Sequence, residues 1–236
     1  MSDLQETIAP SGVRWTVLDV ALAVAVGTGV GIVWSALTYL LLRDSGLSES
    51  VKFFILGTEV YAGVALMTWL LVLKRRGARM SDAGLRKVGP GPILLMVPLT
   101  LGVLFVNGVI AQITAAVFGD VPNAQDQLAI EPATITTVDL ICLLLVVAVV
   151  APVVEEFVFR GLLYRSARSK WGIGVASVIS AVAFACLHFI PLLLGVFFVF
   201  GLILAAVAQR FDSIYPAIVV HALNNAVSIG LLYAAR

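Results

Sequence analysis

The 236-residue sequence predicts an all-α, multi-pass transmembrane helical bundle of about seven to eight membrane helices, and three observations predict it. The chain is 61% hydrophobic and only 12% charged, with a mean hydropathy of +1.06; ordinary globular chains are roughly half apolar and about a quarter charged. The apolar surplus falls in long blocks, and blocks of about 18 or more apolar residues read as membrane spans. Lys and Arg collect between particular blocks, as the positive-inside bias of membrane proteins requires. A net charge of +1 gives no reason to expect a nucleic-acid partner.

Residues 1–15 are polar and mixed in charge and read as a cytoplasmic N-terminal segment. They lack a basic n-region, and the first apolar block is too long for a signal-peptide h-region. Seven blocks follow, at about 16–42, 51–73, 92–118, 138–164, 173–190, 191–209 and 214–233. Each approximates the length that crosses about 30 Å of hydrocarbon at about 1.5 Å per residue. Pro191 separates the fifth block from the sixth and predicts a tight hairpin. An eighth helix is expected only if the first block breaks at its GTGVG. With no strong internal repeat and no low-complexity linker, residues 16–236 form a single transmembrane domain.

Twelve of the fifteen Lys and Arg fall on one side if the N-terminus is cytoplasmic and the blocks alternate. KRRGARMSDAGLRK carries six of them and Arg160–Lys170 four, Arg160 included although it sits in a helix. The loop between the third and fourth blocks carries Asp120, Asp126 and Glu131 instead. The expectation is a multi-pass protein of a prokaryotic cell membrane, with Glu155 and Glu156 near the cytoplasmic end of the fourth helix. Cys142 and Cys186 lie inside apolar blocks and read as small core residues rather than a disulfide framework.

Ionisable groups at membrane depth are costly and face a bundle interior or a hydrated cavity. The fourth block carries Glu155, Glu156 and Arg160; the fifth ends at His188; the seventh carries His221, Asn224 and Asn225. Glu59 reads as interhelical glue or a cavity wall, and Asp19 as an interfacial residue. Residues four apart share a helix face. Glu156 and Arg160 form such a pair, which leaves Glu155 without that partner and available as a general acid or base. Phe184 and His188 share a face, as do His221 and Asn225. Pro152, three residues before Glu155, removes a backbone hydrogen bond and predicts a kink beside the acid. Each feature also has a purely structural reading, as a buried salt bridge or as polar contacts between helices. Their co-occurrence on three helices of one bundle favours a site.

EEFVFR gives an EExxxR motif at Glu155, Glu156 and Arg160; FACLH gives FxxxH at Phe184 and His188; HALNN gives HxxxN at His221 and Asn225. In that order, over about 140–230 of a protease-like core at about 138–233, the sequence resembles the type II CAAX prenyl endopeptidase family, also described as CAAX proteases and bacteriocin-processing enzymes or the abortive-infection family. The resemblance implies an intramembrane endopeptidase. It implies that Glu155 and His188 activate the attacking water, that His221 and Asn225 stabilise the oxyanion, and that Glu156, Arg160 and Phe184 support them. The partners expected are the lipid bilayer and a peptide or protein substrate, lipidated or a leader or pheromone peptide. No cofactor is expected. The alternative is a zinc site on Glu155, His188 and His221, although nothing resembles HExxH and Asn is a poor zinc ligand. Two other classes stay open: a proton-coupled transporter using Glu59, Glu155, His188 and His221, and a non-catalytic membrane immunity protein. If the fifth helix starts near Ile173, His188 stands about 22 Å above the inner surface but His221 only about 10 Å, a mismatch that needs tilt or a short hairpin.

Overall fold

Side-chain caps fix where two of the long helices begin. Thr16 accepts a hydrogen bond from Asp19 N while Thr16 N donates to Asp19 Oδ2 at 2.8 Å, and Thr136 and Asp139 repeat the arrangement. Such reciprocal boxes satisfy backbone donors that a helix start would otherwise leave bare. A computed structural model describes residues 13–119 and 136–234. Most of the N-terminal segment, and Asp120, Asp126 and Glu131, lie outside the described residues.

The helices are α1 (Val17–Leu42), α2 (Glu49–Thr68, continued by a π turn at Trp69–Lys74), α3 (Pro90–Phe118), α4 (Thr137–Leu145), α5 (Ala151–Glu156), α6 (Tyr164–Cys186), α7 (Leu194–Phe211) and α8 (Tyr215–Ala234). π turns at Val146–Val150 and Phe157–Leu163 join α4, α5 and α6, and a 3₁₀ turn at Pro191–Leu193 leads into α7. No strand occurs among the described residues. Among the described residues, five helical stretches are long and apolar enough to cross a membrane: Val17–Leu42, Glu49–Lys74, Pro90–Phe118, Thr137–Cys186 and Pro191–Phe211. The molecule is thus an integral membrane helical bundle. Its outer faces carry Leu18, Leu37, Leu41, Leu94, Phe105 and Val117, all exposed; lipid is the solvent that such surfaces suit.

The 50-residue stretch Thr137–Cys186 merges the fourth and fifth blocks, yet it is not one rod. Gly172 has φ 79°, a left-handed conformation that glycine adopts at no steric cost. Beyond it the chain doubles back, because Ser180 Oγ donates to Phe159 O at 3.0 Å; the same 21-residue separation along a straight helix would span about 31 Å.

The first block does not break at GTGVG, so the conditional eighth helix is absent there: α1 is continuous through it. Its glycines serve packing instead. A Cβ on Gly27 would lie 2.7 Å from Val64 Cα, one on Gly31 2.6 Å from Val60 Cα, and one on Gly63 2.6 Å from Gly27 O. Helices in lipid associate through small residues that let backbones touch, and α1 and α2 do so here. Cys142 is buried as expected, whereas Cys186 is exposed at the end of α6 and is not a core residue. Asp19 is tied to Arg76 at 2.7 Å, and Glu59 Oε1 accepts from Thr38 Oγ1 at 2.8 Å across the α1–α2 contact.

At the basic end of the bundle, the loop between α2 and α3 is fastened to the α7–α8 turn. Ile214 N donates to Gly84 O at 2.9 Å and Ser213 Oγ to Arg86 O at 2.7 Å. Asp212 bonds Arg86 and also accepts from Arg165 at 2.8 Å. These bonds set the start of α8, the helix that carries His221.

Candidate active site

The site is built where α5 passes between α2 and α8. Glu155 and Glu156 close α5, so their side chains leave the helix about 100° apart. Glu156 and Arg160 are completely buried and joined at 2.8 Å, as the four-residue spacing predicts. Arg160 also donates to Gly201 O at 3.1 Å and lies over the Phe184 ring at 4.5 Å. A buried charge pair needs such extra partners to offset desolvation.

His221 enters from α8 between the two acids. Its Nδ1 lies 2.9 Å from Glu156 Oε1, and its Nε2 lies 3.8 Å from Glu155 Oε2. A carboxylate oxygen accepts, so Nδ1 carries the proton and Nε2 is the atom turned towards Glu155. Glu155 is not partnerless: Tyr61 OH, from α2, donates to its Oε1 at 2.7 Å. Its Oε2, like Glu156 Oε2, is buried with no hydrogen-bond partner among the described residues.

Phe184 connects the two imidazoles. Its ring centroid is 4.6 Å from that of His188 and 5.6 Å from that of His221, both edge-on. Both imidazoles therefore lie within reach of one ring, despite the difference in height that the sequence suggests. The fifth helix ends at Cys186, short of the predicted 190, and His188 sits in the turn beyond it. There Nδ1 bonds Phe184 O at 2.7 Å, capping a carbonyl that the helix end leaves bare. A carbonyl only accepts, so this nitrogen also donates, and Nε2 keeps its lone pair. The ring stacks on Phe197 with centroids 4.0 Å apart. His188 interacts electrostatically with Glu155 and His221.

Asn225 stands one turn beyond His221, but its amide is turned aside. Nδ2 donates to Val147 O at 2.8 Å, and Oδ1 accepts from Asn224. Pro152 explains this contact. In a π turn the carbonyl of Val147 would bond the N–H five residues on, and Pro152 has none; Asn225 supplies the missing donor. One amide hydrogen of Asn225 remains uncommitted.

The structure thus brings Glu155, Glu156, Arg160 and His221 into direct contact, with His188 joined through Phe184 and Asn225 beside them on α8. The sequence reading missed Tyr61 and Asn107. Both are cross-helix partners, the latter donating to Asn224 at 3.4 Å, and no spacing along the chain could pair them. The depth of the acids also differs from expectation. Tyr61 lies midway along the Glu49–Lys74 stretch, about 18–20 Å from either end, so Glu155 sits near the middle of the bundle and not at its basic end. For the zinc alternative, no group of three His, Cys, Asp or Glu side chains among the described residues could hold a metal ion. The contacts of His221 Nδ1 and Glu155 Oε1 leave His221 Nε2, His188 Nε2 and Glu155 Oε2 as the atoms that a zinc ion would have to draw together.

Residues 137–227 match the family model described as type II CAAX prenyl endopeptidase Rce1-like. The matched segment runs from the first turn of α4 into α8 and contains every motif residue named above. No curated protein and no solved structure matches the chain.

Proposed function

We propose that the chain is an intramembrane endopeptidase that hydrolyses a peptide bond of a membrane-associated protein or peptide, of the CAAX or bacteriocin and leader-peptide processing type, by a metal-free glutamate mechanism. The observation that carries the reading is His221 held between two acids of unlike duty. Each keeps one buried oxygen without a partner among the described residues, but Glu156 is charge-paired with Arg160 and bonded to the imidazole, while Glu155 takes its hydrogen bond from the neutral phenol of Tyr61. The family match over 137–227 supports the same class of reaction.

Water beside Glu155 Oε2 and His188 Nε2 attacks the scissile carbonyl carbon and gives its proton to Glu155 as the C–O bond forms. The carbonyl oxygen becomes an alkoxide that accepts from His221 Nε2 and from the remaining amide hydrogen of Asn225. His221 donates from Nε2 only as the imidazolium, for which the Glu156 carboxylate is the counter-charge. Collapse breaks the C–N bond, and the proton held by Glu155 passes to the departing amine. The substrate bond lies near a membrane-anchored or lipidated C-terminus, or within a leader peptide.

The test uses purified full-length protein in liposomes with quenched lipidated and leader-type peptides. Glu155→Gln lowers kcat by about 10²–10⁴-fold, and a chelator leaves the wild type unaffected. Chelator sensitivity reversed by zinc would replace the mechanism with a metalloprotease. Absence of cleavage across both peptide classes would remove the protease reading.

A further inference from the structure

We infer that Tyr61, on α2 and outside the segment that the family model matches, is a positioning residue for Glu155: its phenol holds Oε1 so that Oε2 alone faces the reacting water. The inference rests on the reading of Glu155 as the base. Three observations carry it.

The first is the contact itself, a 2.7 Å hydrogen bond from Tyr61 OH to Glu155 Oε1, joining residues 94 apart in the chain. The terminal torsion of a glutamate is broad and roughly two-fold. Without a donor, the carboxylate plane would turn over that broad range and carry its second oxygen out of line with the water. The second is that the two oxygens are unlike: Oε1 is taken by Tyr61, whereas Oε2 is buried, unpartnered and 3.8 Å from His221 Nε2. The third is that α2 is fixed on both sides of Tyr61. Gly63 packs backbone to backbone on α1, and a Cβ on Gly57 would lie 3.6 Å from Val146 of the π turn before α5. The helix bearing the phenol is thereby held against the helix bearing the acid.

An apolar block could equally have carried phenylalanine at 61. The hydroxyl adds a group that must find an acceptor in a setting without water, and the acceptor it takes is the unsalted acid of the pair. The charged and titratable groups around Glu155 are Glu156 and Arg160 on its own segment, His221 from α8, His188 from the turn after α6, and Tyr61 from α2. Tyr61 gives Glu155 its hydrogen bond, so its removal acts on Glu155 first.

The test compares wild type, Tyr61→Phe, Glu155→Gln and the lipid-facing control Tyr39→Phe. In Tyr61→Phe the infrared carboxylate band of Glu155 moves, because the donor to Oε1 is lost. kcat at neutral pH falls about tenfold with KM unchanged. The band is identified by its loss in Glu155→Gln, and it moves without any substrate. Tyr39→Phe moves neither readout. An unchanged kcat and an unmoved band in Tyr61→Phe, with Glu155→Gln inactive, would overturn the role of Tyr61 and leave the protease reading intact. Full activity in Glu155→Gln would overturn that reading, and this role with it.

Discussion

Arg160 and Glu156 are each worth little except in the other's presence. Both are fully buried, so truncating one strands the other's charge in a medium that cannot solvate it. Arg160→Met is expected to destabilise the protein by about 3–5 kcal/mol. The double variant Arg160→Met/Glu156→Leu should recover most of that loss but no activity, since His221 then lacks its anchor; thermal unfolding in detergent reads both. A second residue-scale prediction separates two duties of Asn225. Asn225→Ala leaves Val147 O bare and should cost about 1–3 kcal/mol. Adding Pro152→Ala restores a backbone N–H within reach of that carbonyl, so stability returns while cleavage stays low if the second amide hydrogen serves the oxyanion. The Glu156–Arg160 pair was legible in the sequence because four-residue spacing is a property of the helix alone. Tyr61 was not, because nothing along the chain records which side chain an adjacent helix presents. The spacing also left Glu155 without Arg160, which is correct, but it could not show that another donor takes the arginine's place.

Helix lengths followed from hydropathy because the bilayer imposes them, and helix contacts did not because small residues carry no directional signal. GTGVG is the clearest case: three glycines in five residues could break a helix or seat a neighbour, and only the nearness of Gly63 decides. The π turns flanking α5 were likewise invisible, although the one before Pro152 shares its cause with the kink that the proline predicts. The α1–α2 contact gives the element-scale prediction. A Cβ on Gly63 would stand 2.6 Å from Gly27 O and 2.8 Å from Gly31 Cα, so Gly63→Val forces the helices apart. Overpacking of this kind costs about 1–3 kcal/mol. Because Tyr61 is two residues away, the separation should also weaken its bond to Glu155. Gly63→Val is therefore expected to lower both the denaturant midpoint and kcat. Gly29→Val, where an added Cβ meets no neighbour, should change neither.

For the molecule as a whole, the arrangement of charge and the depth of the site are separable claims. With Arg160 withdrawn from the tally, since it is buried as the counter-ion of Glu156, the basic side still carries most of the cations. They cluster where Arg76 meets Asp19 and where Arg86 and Arg165 meet Asp212. The opposite end of α2 presents Asp44 and Glu49, both exposed. If the basic end faces the cytoplasm, a variant lacking Cys142 and Cys186 and carrying Asp44→Cys should react with an impermeant maleimide on intact cells. Arg79→Cys should react only after permeabilisation. The reverse pattern would invert the topology without touching the site, because Tyr61 and Glu155 lie about midway between those ends. A substrate bond that enters from either face must be drawn about 18–20 Å into the bundle, and a helical segment must also unwind there, because its scissile carbonyl is already hydrogen-bonded within the helix. Peptides with a helix-breaking residue near the scissile bond should accordingly be cut faster than helix-stabilised ones of the same composition, at equal membrane binding. Equal rates for the two would mean that the bond is reached without entering the bundle.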